Sequence, residues 1–260
     1  MDERIAVNRL RWDEMARLHE TTYFREGAAV TDATLTPFEL EDLGDLTGQR
    51  VCHLQCHIGG DTLSLARLGA TVVGVDFSEF ALDVARRRAR EAGLGDRVEF
   101  VCASVDEAAS VLGAGGFDGV HTSWGVLCWL PDLTVWAATI RDLLRPGGWL
   151  ELAETHPHAA ALRWAGPTYG GGTPSFDDAQ GDYTQGDAVF EHPGAWEWQH
   201  GLGEIVTALA AAGMRIDHLH EHPCVVWHLN DRSLVRRPDG LWEVPGSTLP
   251  LSFTLRATRS

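Results

Sequence analysis

Between residues 50 and 155 the apolar positions change period in a regular rhythm. Five short runs, "RVCHLQC" (50–56), "ATVVGVDFS" (70–78), "RVEFVCA" (97–103), "FDGVHTS" (117–123) and "GWLELAE" (148–154), have the length and β-branched content of strands. The segments between them carry apolar residues three and four apart, as one face of a helix does. "DTLSLARLG" is helical up to Gly69, and "SEFALDVARRRAREAG" is a helix that Ser78 can cap and Gly93 can end. Further helices are expected from about Val105 to Leu112 and from about Leu133 to Leu144, the last followed by the turn "RPGG". Strands alternating with helices predict an α/β fold, a mostly parallel sheet with helices on both faces.

The ends follow other rules. Residues 4–20 have the pattern of an amphipathic helix, and "ATLTPFELEDLG" is a short helical lead-in to the first strand. From Thr155 to His200 the periodicity dissolves into Gly, Pro, Asp and aromatic residues, too long a stretch for an idle connection. Helical spacing returns over 201–213, then a strand "MRIDHLHEH" and a final strand "LSFTLRATR", which a long excursion would allow to insert antiparallel. The expected organisation is a single domain over 1–260, with a helical cap at 1–45 and a lid or substrate-binding insertion at 155–200.

Composition narrows the function classes. The 44% hydrophobic and 22% charged content is that of an ordinary globular chain. A formal charge of −16, with every basic residue an Arg, disfavours nucleic acid as a partner. The run "ARRRAREAG" reads as the solvated face of its helix. No apolar run is long enough to cross a bilayer and the first segment is too charged for a signal peptide, so no membrane association and a cytoplasmic location are expected. Five scattered cysteines without a CxxC pair offer no disulfide framework or Cys-based zinc site. No interface pattern indicates an oligomeric state.

Candidate chemistry sits where the first strand runs into "QCHIGG" and a helix, because open parallel sheets hold ligands at the C-terminal ends of their strands. The second strand ends at Asp76, 17 positions after Gly59, placed to accept hydrogen bonds from ribose hydroxyls. This is a nucleoside-binding half, and both NAD and S-adenosylmethionine fit it. "QCHIGG" lacks the G-x-G-x-x-G spacing that a nicotinamide-dependent oxidoreductase would want.

"VCHLQCHIGGDTLSLARLGATVVGVDFSEFAL" resembles the first two motifs of the class I S-adenosylmethionine-dependent methyltransferases, specifically a bacterial small-molecule subgroup with a His-Leu-Gln-Cys-His first motif. "FDGVHTSWGVLCWLPDL", "LLRPGGWLELAETHP" and "WEWQHGLGEIVTALAAAGMRIDHLHEHP" are similar to its later motifs, so the resemblance covers nearly the whole chain. It implies a Rossmann-like seven-stranded sheet with an antiparallel C-terminal strand, S-adenosylmethionine as cofactor and methyl transfer to a small-molecule acceptor, on nitrogen or oxygen, by in-line displacement. Against the general methyltransferase loop, an Asp is replaced by His53 and two glycines by Gln55 and His57, while Gly59 and Gly60 remain. The rival reading is a non-catalytic binding protein on the same fold.

The resemblance also implies a cofactor site of Gln55, His57, Gly59, Asp76, Phe77, Ser104, Val105, Ser123, Trp124 and Gly125. Backbone amides at 57–61 would face the methionine carboxylate, Asp76 the ribose, Phe77 the adenine ring, Ser104 and Val105 its edge, and residues 123–125 the methionine side. Phe77 and Trp124 could equally be core aromatics. His156, with Glu154 two positions before it, lies at the end of the fifth strand and is the candidate base; Tyr23 is a second candidate catalytic residue. Tyr23, Trp164, Tyr169, Tyr183, Trp196 and Trp198 could enclose a flat or cationic acceptor, or pack the lid. His218, His220 and His222 share one strand face, but no metal site is expected.

Overall fold

A computed structural model of the chain describes residues 3–22, 34–163, 169–178, 189–227, 229 and 233–260. Tyr23, Trp164 and Tyr183 lie outside these residues, as does part of the 155–200 insertion. The elements run α1 (Glu3–Thr22), α2 (Pro37–Leu43), β1 (Arg50–Leu54), α3 (Gly60–Arg67), β2 (Thr71–Asp76), α4 (Glu79–Glu91), β3 (Val98–Cys102), α5 (Val105–Leu112) and β4 (Phe117–Ser123). They continue with α6 (Leu133–Leu143), β5 (Leu144–Thr155), α7 (Pro157–Arg163), β6 (Pro174–Asp177), β7 (Ala195–Trp198), α8 (Leu202–Ala211) and β8 (Met214–His222). Three short strands, β9 (Cys224–Val225), β10 (Val235–Arg236) and β11 (Trp242–Glu243), precede the final β12 (Ser252–Arg259).

Seven strands form the main sheet in the order β3-β2-β1-β4-β5-β12-β8. The first five are mutually parallel, and β12 pairs antiparallel with both β5 and β8. The order reverses between β1 and β4, which opens a crevice at the C-terminal ends of those strands. This is the Rossmann-like arrangement with an antiparallel C-terminal strand. Ser78 caps α4 through the amide of Ala81, as its position before the apolar run predicts.

The two faces of the sheet differ in kind. Cys52, Leu54, Val73, Val75, Val120, Leu150, Leu152, Phe253, Leu255 and Ala257 point to one face and pack against α5, α6 and α8, where Trp136 and Ile140 are fully enclosed. Burying such side chains contributes roughly 1.5–3 kcal/mol each. Because strand side chains alternate, their neighbours point the other way. One cross-strand row there reads His53, His121, Glu151, Arg256 and His218, each paired in register with the next. The helices α2, α3 and α4 cover this second face with smaller apolar clusters.

Close packing explains the glycine that survives in the first loop. Gly59 sits at φ +79°, and a Cβ there would come within 2.8 Å of the Ala85 Cβ and 3.2 Å of the Phe100 ring. Gly59→Ala is therefore expected to lower unfolding free energy by about 2–4 kcal/mol, from left-handed strain plus overpacking. A urea melt with an unchanged midpoint would contradict this.

Candidate functional site

The loop after β1 keeps a tight path without its glycines. Gln55 and His57 both adopt left-handed backbone, at φ +55° and +47°. That conformation costs a non-glycine residue on the order of 1–2 kcal/mol, and hydrogen bonds over-determine it. The Gln55 side-chain amide donates to the Val126 carbonyl at 3.0 Å, and the His57 backbone N–H donates to Asp76 Oδ2 at 2.8 Å. The Ser78 N–H donates to the other oxygen of Asp76 at 2.9 Å. Asp76 is thus the common acceptor for the loop after β1 and the turn into α4. Burial pushes its carboxyl up to about 6, against the opposing pull of the amides of Ser78, His57 and Phe77.

Of the amides at 57–61, His57 donates to Asp76 and Gly59 donates to the Cys56 carbonyl, so a ligand anion would meet the first-turn amides of α3 instead. An open cleft lies beside this loop, lined by Gln55, Asp76, Phe77, Ser104 and Val105 together with residues of α1 and of the β4–α6 connection. Five of the cofactor-site residues expected from the sequence are thereby brought together. Ser104 is not available as a free hydroxyl, because its Oγ donates to Glu107 at 2.7 Å in the capping box of α5.

The segment after β4 is held from below. Glu154 accepts hydrogen bonds from the amides of Gly125 (2.7 Å), Val126 (2.9 Å), Leu127 (3.3 Å) and Thr155 (2.6 Å). This carboxylate is spent on the loop rather than on His156. Trp124 takes a left-handed φ of +55° and donates its indole N–H to Glu39 Oε2 at 3.2 Å. Ser123 donates to Asp61 Oδ2 at 2.8 Å. His156 is buried, its Nε2 lies 3.0 Å from Glu221 Oε1, its Nδ1 accepts from the His158 N–H, and it does not line the cleft.

The expected acceptor-pocket aromatics divide. Trp198 is only 2% exposed, with the Arg4 guanidinium 5.4 Å from its ring centroid. The backbone of Trp196 exchanges two hydrogen bonds with the Asn8 side chain, at 2.7 and 2.8 Å, and this docks the β6–β7 hairpin on α1. Tyr169 is exposed, and its hydroxyl accepts from the Leu202 N–H at 3.4 Å.

Sequence reasoning placed the N-terminal segment at the site but named no residue of α1. Ile5 and Asn8 line the cleft, and Trp12 packs edge-on against both His57 and Trp129 at 5.2 Å. His19 Nδ1 lies 2.8 Å from His57 Nε2. Trp12 and His19 are seven positions apart, two helical turns on one face, so their shared direction was readable; their target was not.

Comparison with known proteins now adds to this geometry. Residues 51–148 match the sequence model of the methyltransferase domain family. A ubiquinone biosynthesis O-methyltransferase of Xanthomonas euvesicatoria is 33% identical over 162 residues, which is 60% of this chain and 66% of that enzyme, just short of two thirds of its length. Among solved structures, an S-adenosylmethionine-dependent methyltransferase of Mesorhizobium loti superposes with a TM-score of 0.59 at 22% identity, over 85% of this chain and 95% of that one. One from Methanosarcina mazei gives 0.59 at 18% identity, over 86% and 98%. These likenesses agree with the observed strand order. The matched span is similar to the methyltransferase domain family, and the fold is that of the class I methyltransferases. No helix among the described residues is long and apolar enough to cross a membrane.

Removing the carboxylate under the 125–127 segment strands buried amides. Glu154→Ala is expected to cost about 3–5 kcal/mol and to speed hydrogen exchange at Gly125, Val126 and Leu127. Exchange rates unchanged from wild type would show that the loop is held by other contacts.

Proposed function

We propose that this chain is an S-adenosylmethionine-dependent methyltransferase acting on a small-molecule acceptor in the cytoplasm, with oxygen as the accepting atom. The observation that carries the reading is Asp76, which ends β2 inside the cleft and ties the first loop to α4. Its oxygens accept the amides of His57 and Ser78 and retain lone pairs, so a ribose diol is its natural further partner. The choice of oxygen rests on the similarity to O-methyltransferases. The net charge of −16 supports a small acceptor over nucleic acid.

Bound in this cleft, the cofactor supplies an electrophilic methyl group on a sulfonium centre. The chain's own part is to place it. Phe77 offers an apolar wall for the base, and Ser104 and Val105 border it through backbone groups. Gln55, fixed on Val126, holds the β1 loop against the segment after β4, so that the two walls of the site keep a constant separation. The cap from α1 and the β6–β7 hairpin would exclude water, which such displacements require.

Calorimetry with S-adenosylmethionine and with its demethylated product tests the binding step, and a panel of phenols, acids and amines with labelled cofactor tests transfer. Binding of both nucleosides, weakened ~10–100-fold by Asp76→Ala, is expected. Heat from neither nucleoside would refute the proposal, while binding without transfer to any acceptor would favour a non-catalytic relative.

The raised Asp76 carboxyl also sets a pH window. Burial favours its neutral form, so ionisation is completed only as pH rises through about 6. The ionised form accepts from both hydroxyls. Affinity for the demethylated product should therefore fall as pH drops below about 6, and Asp76→Asn should flatten that dependence. A wild-type profile flat from pH 5 to pH 8 would show that Asp76 ionisation does not control binding.

A further inference from the structure

The replacement of the usual loop acid by His53 finds a partner in the polar row on the second sheet face. His53 on β1 and His121 on β4 stand opposite each other in register, with ring centroids 5.1 Å apart. Both are buried. His53 Nδ1 is hydrogen-bonded to Thr62 Oγ1 at 2.8 Å, and His121 Nδ1 lies 2.5 Å from Glu151 Oε2 as an ion-pair contact without hydrogen-bond geometry. Those contacts fix the rings and leave the Nε2 atoms for something else. Asp61, in the first turn of α3, is half-buried, and His53, Asp61 and His121 bring one ligand atom each to within 4.8 Å of one another.

Glu39 faces the His121 side of this triad. Glu39 on α2 is fully buried; its Oε2 is occupied by the Thr36 N–H, the Thr36 hydroxyl and the Trp124 indole, but its Oε1 has no hydrogen-bond partner. That oxygen lies 3.9 Å from His121 Nε2, which is also without a hydrogen bond. The gap is too long for a hydrogen bond. Orphaned polar atoms in so closed a place call for a partner.

We propose that His53, His121 and Asp61 form a binding site for a divalent first-row transition ion of the zinc class. Two imidazoles with one carboxylate match the ligand preferences of such ions, His121 giving up its proton as the ion binds. Glu151 and Thr62 are the outer partners that hold the two rings, as acceptors behind ligating histidines do elsewhere. The ion would tie β1, β4 and the start of α3 together beneath the first loop, whichever molecule occupies the cleft. Asp61, the most accessible of the three, marks the side from which it would enter. A second, more accessible cluster of Asp42, His218 and His220 lies at the sheet edge and serves as the control.

The test uses the full chain, stripped with a chelator and titrated with zinc by calorimetry and thermal melting, beside His53→Gln, Asp61→Asn and His220→Gln. The expected result is stoichiometric zinc uptake with a Tm rise of roughly 5–10 °C at saturation. His53→Gln and Asp61→Asn, each shown folded by circular dichroism, should lose more than ~10-fold in affinity, with His220→Gln unchanged. Cobalt should give the visible absorption of a low-coordinate site in wild type and lose it in either variant. No zinc uptake by the folded wild-type chain overturns the proposal, and so does loss confined to His220→Gln. If Asp61→Asn does not fold, His53→Gln alone decides between the same outcomes.

Discussion

One buried carboxylate sets the geometry on which the site depends. Asp76 ends β2 and accepts an amide from His57 on one side and from Ser78 on the other. Two strand-to-helix turns are thereby locked to a single point, and the helices α3 and α4 that start from them inherit its position. The cost is visible in the raised affinity of Asp76 for a proton, because burial disfavours charge while hydrogen bonds to the carboxylate favour it. A residue that is expensive to bury and is held by backbone amides makes a rigid acceptor.

The sheet divides its work between its faces. Against α5, α6 and α8 it presents uninterrupted apolar side chains, which supply the bulk of the burial energy. Toward α2 and α3 it presents a row of ionisable groups that contributes little by that measure. Burial alone would strip the proton from His121, yet Glu151 beside it, with help from Glu39, holds it up to about 9. Such a pair returns little net stability over an apolar replacement. Its retention at the C-terminal ends of β1 and β4 is what makes this face a chemical feature instead of a packing one.

Over the open end of the sheet, the cap is built from segments far apart in the chain. Asn8 on α1 exchanges hydrogen bonds with the backbone of Trp196, and Glu14 accepts from the amides of Glu191 and His192. Trp12 reaches down to His57 and Trp129 and so connects the cap to both loops that wall the cleft. Trp198, an expected substrate contact, instead supplies the cap with a buried anchor. A flat aromatic surface serves either role, and only its neighbours decide which.

Local rules carried the α/β alternation, the helix capped by Ser78, the acid at the end of the second strand and the antiparallel return, because each is written in periodicity or in a residue with one dominant conformational use. The conformation of Gln55 and His57 was not legible, since nothing local asks a glutamine or a histidine to turn left-handed; a hydrogen bond from Gln55 to the Val126 carbonyl, 71 positions away, and one from the His57 amide to Asp76 do so. The partner of Glu154 was likewise hidden, as a strand residue's direction follows from its register while its target depends on a loop from another strand. His53 stood out in the sequence only as a departure. Its meeting with His121 and Asp61 required three elements to fold onto one face, a juxtaposition that spacing along the chain does not encode.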